Sequence, residues 1–338
     1  MNIAAVSLDT LEGAVSARIK FPLQALAKFG VNVQWGAGQI SIPNQADDGL
    51  LILHRAFFND ASFVSTLDTL IENGWIVIND IDDDLTHREE FVADNYYCLR
   101  YCHAVTVSTG KLAESYCRFN PDTYVLSNAV PYLLDPKQSP TGPCRVFFGA
   151  LNRYQDWLAI KDGVVSALDR FKDRFELVIV HDEQVFASLP AGIKKRFVPT
   201  LGYDQYLSLL SESDIALLPL NDNVFNRGKS DLKLIESAGV GCVPIFSPTV
   251  YGEVPIHAEI GLMANSPKEW EDALSQLILD PADREARKIK GQHYVKNYRM
   301  HSHQALNRYT LYQQLLAKRD QLEQRRRQRL ASGGVKGI

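Results

Sequence analysis

The chain has 338 residues, of which 46% are hydrophobic and 22% are charged, and its formal net charge is −4. This length exceeds one ordinary α/β core and suits two domains of about 150 residues each. The acidic balance argues against a nucleic-acid partner, and no stretch approaches the roughly 18 apolar residues of a membrane span. The first residues include Asp9 where a signal peptide would stay apolar, so we expect a cytoplasmic protein.

The first part of the chain alternates short apolar runs with longer amphipathic segments, which predicts an α/β domain with a parallel sheet covered on both faces. The expected strands are at 3–8, 31–35, 50–53, 75–78, 105–107 and 124–126. The expected helices are at 16–29, 61–73, 87–102 and 110–119. Cys98, Cys102 and His103 are interpreted as core residues, because no second ligand pair at zinc spacing accompanies them.

Four prolines between residues 131 and 143 predict a linker at 136–143, since no regular element tolerates that density of proline. The alternation then restarts, with strands expected at 145–148, 177–180, 215–218 and 243–246 and helices at 156–171, 204–210 and 231–238. We therefore expect a first domain at 1–135 and a second at 144–290. The remainder is expected to form helices at 291–330 that pack back toward the first domain, followed by a disordered tail at 331–338.

The segment from 318 to 329 mixes charges of both signs and ends in a run of arginines. One interpretation is a frayed and solvated helix. The other is an electrostatic contact with an anionic membrane surface, which would place the protein peripherally at the inner face of a membrane. The sequence leaves both open.

The segment from 226 to 239 holds the most informative spacing in the chain. Ser230 is expected to cap a helix on which Lys229, Lys233 and Glu236 share one face. A helix N-terminus with lysines suits a diphosphate, and a carboxylate about 10 Å further along suits the hydroxyls of a ribose. The alternative is a solvated helix face with an internal ion pair.

These residues, together with 214–220 and 238–244, resemble the donor-binding segment of the retaining glycosyltransferase family 4 and its relatives of GT-B architecture. Residues 106–109, 127–130, 148–150 and 201–207 agree in order, and the resemblance covers about residues 1–315. The chain departs from the family pattern at Gly228, where a first glutamate is frequent, and at Lys161, which is too far from Arg153 to be carried over.

The resemblance implies two Rossmann-like, doubly wound domains that face a central cleft, with a helical C-terminus. It implies transfer of a sugar from a nucleotide-diphosphate sugar, UDP- or GDP-linked, to a glycan, a lipid-linked or another hydroxyl acceptor. Retention of configuration and a role in polysaccharide biosynthesis would follow, without a cofactor. Further donor contacts are then expected from Asn152, Arg153 and His181, and acceptor contacts from Asp9, Gly13 and Arg18.

An acidic cluster follows the strand expected at 75–78 and would lie at the carboxyl edge of the first sheet. Asp82, Asp83 and Asp84 belong to it, and His54 ends a neighbouring strand. The cluster could bind an acceptor hydroxyl or assist as a base, hold a metal against the diphosphate, or only cap a helix at the surface. No metal is expected, because the lysines of the second domain already neutralise the diphosphate.

Two other functions fit the same architecture. The chain could be a non-catalytic subunit that binds a glycan or stabilises a partner enzyme. It could also be a nucleotide-sugar epimerase, which would convert the donor without any acceptor.

Overall fold

The computed structural model describes residues 1–7, 12–38, 40, 42, 48–58, 60–134, 142–149 and 151–332. Asp9, most of the linker expected at 136–143 and the tail from 333 onward therefore lie outside the described residues. The chain divides into two compact units. The first comprises Met1–Pro131, Gly228–Ser230 and His301–Ile338, and the second comprises Tyr132–Arg227 and Asp231–Met300. Within the described ranges, no helix is long and apolar enough to cross a membrane.

The first unit contains a sheet of six parallel strands in the order β2-β1-β3-β4-β5-β6. The strands are β1 Asn2–Ser7, β2 Asn32–Ala37, β3 Gly49–His54, β4 Trp75–Ile81, β5 Ala104–Val107 and β6 Thr123–Val125. β3, β4 and β5 are buried along their whole length, as parallel strands covered on both faces should be. The strand order reverses between β1 and β3, and the carboxyl ends at such a switch point are where open α/β sheets bind ligands.

The helices of the first unit agree with the predicted positions except where the backbone takes unusual conformations. They span Glu12–Val15, Phe21–Gln24, Ala61–Glu72, Glu89–Ala93, Tyr97–Tyr101, Gly110–Tyr116, His301–Ala317 and Arg319–Ser332, with a π-helical segment at Ser16–Lys20 and a 3-10 turn at Ala27–Phe29. The single helix predicted at 87–102 is wrong. Asn95 and Tyr96 have φ angles of 48° and 56°, and this left-handed pair separates two short helices.

The second unit contains another six-stranded parallel sheet, in the order β12-β11-β10-β7-β8-β9. The strands are β7 Cys144–Gly149, β8 Phe175–Val180, β9 Lys195–Val198, β10 Ile215–Leu218, β11 Val243–Phe246 and β12 Leu262–Met263. The apolar pattern does not predict β9 and β12, because β9 is short and begins with two basic residues and β12 has two residues. This sheet has its switch point between β7 and β10.

The helices of the second unit cover its sheet and pack closely on each other. They span Tyr154–Arg170, Glu183–Ser188, Tyr203–Ser211, Val224–Arg227, Leu232–Gly239, His257–Ile260, Pro267–Leu279 and Pro281–Tyr298, with a 3-10 turn at Tyr251–Glu253. Trp157 and Trp270 are fully buried in the core between two of these helices and the sheet. A methyl group added at Gly163 would lie 1.8 Å from the carbonyl oxygen of Pro267, so this helix pair requires a glycine.

The basic C-terminal segment forms the helix Arg319–Ser332 and is not frayed. Leu322 and Arg326 are buried, and Nη1 of Arg325 lies 2.6 Å from Oδ1 of Asp122. Nη2 of Arg329 donates to the carbonyl oxygen of Cys102 at 2.7 Å. The side chains of Arg325 and Arg327 are still 45% and 75% exposed, so contact with a membrane surface stays a prediction.

Candidate functional site

A cluster of polar side chains in the second unit lies near the carboxyl ends of β7 and β10, at the switch point of its sheet. Arg153 follows β7, and its side chain is 16% exposed. Its Nη1 donates to Oδ2 of Asp156 at 2.8 Å and to Oδ1 of Asn226 at 3.1 Å. Asn226 lies after β10, so one guanidinium group joins the two loops at the position where a doubly wound sheet binds its ligand.

The helix Leu232–Gly239 follows and corrects the predicted capping. Its N-cap residue is Asp231 rather than Ser230, and no side chain caps the helix. The Asp231 carboxylate instead forms a bidentate ion pair with Arg299, whose Nη1 and Nη2 donate to Oδ2 and Oδ1 at 2.5 and 2.7 Å. Burial opposes the charge on Arg299, but the hydrogen bonds that Arg299 donates to this carboxylate outweigh the effect of burial and raise the pKa of Arg299.

Glu236 is fully buried, so the alternative of a solvated helix face does not hold, although the internal ion pair that it included is present. Its Oε2 accepts a hydrogen bond from Nζ of Lys233 at 3.1 Å, whereas its Oε1 is buried and without a hydrogen-bond partner. The hydroxyl of Tyr203 lies in the same interior, where burial and the Glu236 charge raise the pKa of Tyr203 well above its usual value. A buried carboxylate oxygen without a donor at hydrogen-bond distance is costly, and the contact of this oxygen with a ribose hydroxyl stays a prediction.

Lys233 lies between this carboxylate and an aromatic ring. Its Nζ is 4.0 Å from the ring centroid of Tyr206, and its side chain is 36% exposed. Burial opposes the charge of Lys233, but the Glu236 carboxylate outweighs it and raises the pKa of Lys233 above its usual range. The site therefore keeps a permanent cation at neutral pH, next to the buried carboxylate.

Two other donor candidates lie at strand ends with left-handed backbones. His181 directly follows β8 and has a φ of 74°, and Nδ1 of its ring is hydrogen bonded to Oγ1 of Thr200. Asn152 has a φ of 55° and is exposed. Their contacts with a nucleotide stay a prediction.

The first unit has its own polar cluster at the ends of β1, β3 and β4. Oγ of Ser7 lies 3.1 Å from Nδ1 of His54, whose Nε2 is 3.7 Å from Oδ1 of Asp82. Arg55 donates from Nε to Asp82 and from Nη2 to Asp83, at 2.5 and 2.9 Å. Arg55 has a φ of 51°, a strained conformation of the kind often found at functional sites.

The ionisation of Asp82 decides what this cluster can do. Burial disfavours the charged form, but the neighbouring His54 ring and the charge of Arg55 outweigh it and hold the pKa of Asp82 far below its usual range. A carboxylate of such low basicity is a poor general base at neutral pH. It remains a strong hydrogen-bond acceptor, so hydroxyl binding is the better of the proposed roles.

Asp84 and Arg18 have structural partners instead of ligand-facing positions. Oδ1 of Asp84 accepts hydrogen bonds from the backbone and hydroxyl of Thr86, at 3.0 and 2.6 Å, as expected from the capping alternative. Arg18 is buried and forms two 2.8 Å hydrogen bonds with Asp80, which give it a structural role, and its contact with an acceptor stays a prediction. Asp80 is buried because β4 extends to Ile81, three residues beyond the predicted end.

The segment Gly228–Ser230 belongs to the first unit by its contacts. Nζ of Lys229 lies 2.9 Å from Oδ1 of Asp83, and the Ser230 hydroxyl accepts from Nδ2 of Asn128 at 2.7 Å. A diphosphate would therefore have to compete with Asp83 for the ammonium group of Lys229, and the predicted contact stays a prediction. Gly13 is exposed in the short helix Glu12–Val15 and has no contact that tests its predicted acceptor role.

No group of three or more His, Cys, Asp or Glu side chains in the described part of the chain is arranged to hold a metal ion. Cys98, Cys102 and His103 are fully buried, and Nδ1 of His103 accepts from the backbone nitrogen of Val77 at 3.0 Å. That supports their interpretation as core residues. Whether the activity needs a metal stays a prediction.

Sequence reasoning missed Asp156 and Asn226. Asp156 lies in the first turn of a helix, where an acidic residue is ordinary and gives no signal of a site. Asn226 lies in a short helix after several polar residues and does not stand out from them in the sequence. Arg55 is noticeable in the sequence only through its place beside His54, at the end of a buried strand.

Comparison with known proteins agrees with this architecture. The family model of glycosyl transferase-like proteins matches residues 163–314, which include β8 to β12 and the helix with Lys233 and Glu236. A comparison with curated protein sequences finds no significant match.

Solved structures of glycosyltransferases share the fold over almost the whole chain. HepE from Anabaena in complex with UDP has a TM-score of 0.62 at 13% identity, covering 93% of this chain and 100% of its own. Sucrose-phosphate synthase from Thermosynechococcus elongatus has a TM-score of 0.59 at 15% identity, covering 94% and 99%. WaaG, a glycosyltransferase involved in lipopolysaccharide biosynthesis, has a TM-score of 0.59 at 12% identity, covering 89% and 96%. The chain therefore has the GT-B fold, and its residues 163–314 are similar to the family of glycosyl transferase-like proteins.

Proposed function

We propose that this protein transfers a sugar from a nucleoside-diphosphate sugar, UDP- or GDP-linked, to a hydroxyl group of a glycan or lipid-linked acceptor. The observation that carries the proposal is Glu236, a fully buried carboxylate with one oxygen lacking a donor, beside the cation of Lys233. Two vicinal hydroxyls of a ribose supply the missing hydrogen bonds, and the cation offsets negative charge nearby.

The leaving group of such a reaction is a nucleoside diphosphate, on which negative charge grows as the glycosidic bond breaks. Arg153 and Lys233 are cations of the second unit that would stabilise this charge. UDP is bound in the solved structure of HepE, which supports a nucleotide ligand for a chain of the same fold. We assign the nucleoside diphosphate to the second unit on these grounds.

The acceptor is assigned to the first unit. Asp82 and Asp83 both form ion pairs with Arg55 and suit a neutral sugar hydroxyl better than a second anion. Retention of configuration is proposed from the sequence resemblance alone. It is tested by the anomeric coupling constants of the product in a proton NMR spectrum.

The test is nucleotide release from a panel of UDP- and GDP-linked sugars, measured with and without oligosaccharide and polyprenyl-phosphate-sugar acceptors. Release that depends on the acceptor, and that falls at least tenfold in Glu236→Gln, is the expected result. Conversion of the donor sugar without an acceptor would identify an epimerase. Nucleotide binding without any turnover would favour the non-catalytic subunit.

A further inference from the structure

Two buried side chains connect the loops after β7 and β10, and the proposed function gives them no role. Asp156 is 5% exposed and Asn226 is 4% exposed. Asp156 lies in the first turn of the helix Tyr154–Arg170, and Asn226 lies in the short helix Val224–Arg227. Both accept a hydrogen bond from the same nitrogen, Nη1 of Arg153.

The amide of Asn226 has a single orientation, because both hydrogens of its Nδ2 have acceptors. One is Oδ1 of Asp156 at 3.1 Å, and the other is the carbonyl oxygen of Asn221 at 3.0 Å. The Oδ1 atom must then face Arg153. The backbone nitrogen of Asn226 donates to Oδ1 of Asn223 at 2.8 Å, which holds the residue itself in place.

The carboxylate of Asp156 is equally constrained. Its Oδ2 accepts from Arg153 at 2.8 Å. Its Oδ1 accepts from the backbone nitrogen of Asn221 at 2.8 Å as well as from Asn226. Rotation of either side chain would leave buried polar atoms without partners, so the network resists displacement.

This network leaves the Nε and Nη2 atoms of the Arg153 guanidinium group available for a ligand. Its Nη1 is committed to two acceptors, whereas Nε and Nη2 have no hydrogen-bond partner within the part of the chain that the structure describes. Nε and Nη2 form one edge of the planar group, the fork that donates to two oxygens of a phosphate at once. An arginine held in this way loses less rotamer freedom when it binds an anion.

We propose that Asp156 and Asn226 are positioning residues that aim the Nε–Nη2 edge of Arg153 at the diphosphate of the sugar donor. This inference rests on the proposed function, since it needs a nucleoside diphosphate in the second unit. Neither residue touches the ligand, and their effect passes through Arg153.

The test is isothermal titration calorimetry of the full chain with UDP and GDP, and with uridine and guanosine as ligands without phosphate. For the diphosphate that the wild type binds, Asn226→Ala and Arg153→Ala should each raise Kd about tenfold, the loss of one oriented, charge-assisted contact. Their nucleoside affinities should not change. The double variant Arg153→Ala/Asn226→Ala should bind no worse than Arg153→Ala alone, because Asn226 acts only through Arg153.

Two further variants keep the test independent of a folding defect. Arg153→Lys retains the charge but has no fork, so it should lose as much diphosphate affinity as Arg153→Ala. Asn221→Ala removes a half-buried side chain whose hydrogen bond in the described structure goes to the carbonyl oxygen of Gln155. Alanine keeps the backbone groups that bind Asp156 and Asn226, so this variant should bind as the wild type does.

The outcomes distinguish a failure of the positioning role from a failure of the proposed function. A wild type that binds neither diphosphate overturns the proposed function and this inference together. A wild type that binds, with an additive double variant or full affinity in Arg153→Lys, overturns the positioning role and leaves the proposed function standing.

Discussion

Replacing Glu236 by glutamine should separate ligand binding from folding. Glutamine has nearly the same volume, so the substitution leaves no cavity in a position that is fully buried. The wild-type carboxylate has one oxygen without a partner and one ion pair with Lys233, a side chain 36% exposed that can turn to water. Coulombic gain and desolvation largely cancel in such pairs, so we expect the free energy of unfolding to change by less than about 1 kcal/mol.

Binding should respond differently. Hydrogen bonds from a ligand hydroxyl to a charged acceptor contribute about 1.5–3 kcal/mol each, so losing one corresponds to a roughly 10- to 150-fold higher Kd for the nucleotide. Urea denaturation measures the first quantity and calorimetric titration with UDP or GDP the second. Unchanged nucleotide affinity in a folded Glu236→Gln protein would refute the ribose contact. A loss of stability above about 3 kcal/mol would show that the carboxylate is structural.

The remaining predictions concern packing, pH and metal dependence. Gly163→Ala should lower the free energy of unfolding by at least 1–3 kcal/mol, because the new methyl group overlaps the Pro267 carbonyl, while Gly192→Ala, with no atom within 4 Å, should change it by less than about 0.5 kcal/mol in urea denaturation. Burial and neighbouring cations lower the pKa of His301 from 6.5 to about 3, so stability should fall as the pH drops below about 6.5, where the unfolded chain takes up a proton that the folded chain does not. The contribution at pH 5 is about 2 kcal/mol, and His301→Gln should show a correspondingly smaller difference between pH 7 and pH 5. Transfer should persist in excess EDTA and donor binding should survive Asp83→Asn, whereas inhibition by EDTA that added manganese reverses would contradict metal independence.

The two sheets could be predicted because their strands are continuous apolar runs bounded by turn residues. The apolar runs at 50–53 and 215–218 predict the ends of β3 and β10 to within one residue. A strand that is buried on both faces is apolar at every position, so its ends are easy to recognise in the sequence. β4 shows the limit of this signal. It continues through Asn79 and Asp80, whose burial depends on partners far along the chain, among them Arg18.

The site was harder to predict than the fold for the same reason. The spacing of Lys233 and Glu236 identified two residues that do lie together, but helical periodicity cannot show that the helix is buried on nearly all sides from Leu234 onward. Asp156 and Asn226 are 70 positions apart, and only the folded chain reveals their 3.1 Å hydrogen bond.

The central claim is that the second unit binds a nucleoside diphosphate. The most direct measurement is a thermal-shift titration of the wild-type protein with UDP, GDP, ADP, CMP and dTDP. At a concentration about 100 times its Kd, the cognate nucleotide should stabilise the folded state by roughly 2.7 kcal/mol and raise Tm by a few degrees. The account predicts this shift for one diphosphate, with a smaller one in Arg153→Ala, and the absence of any shift across the panel would contradict it.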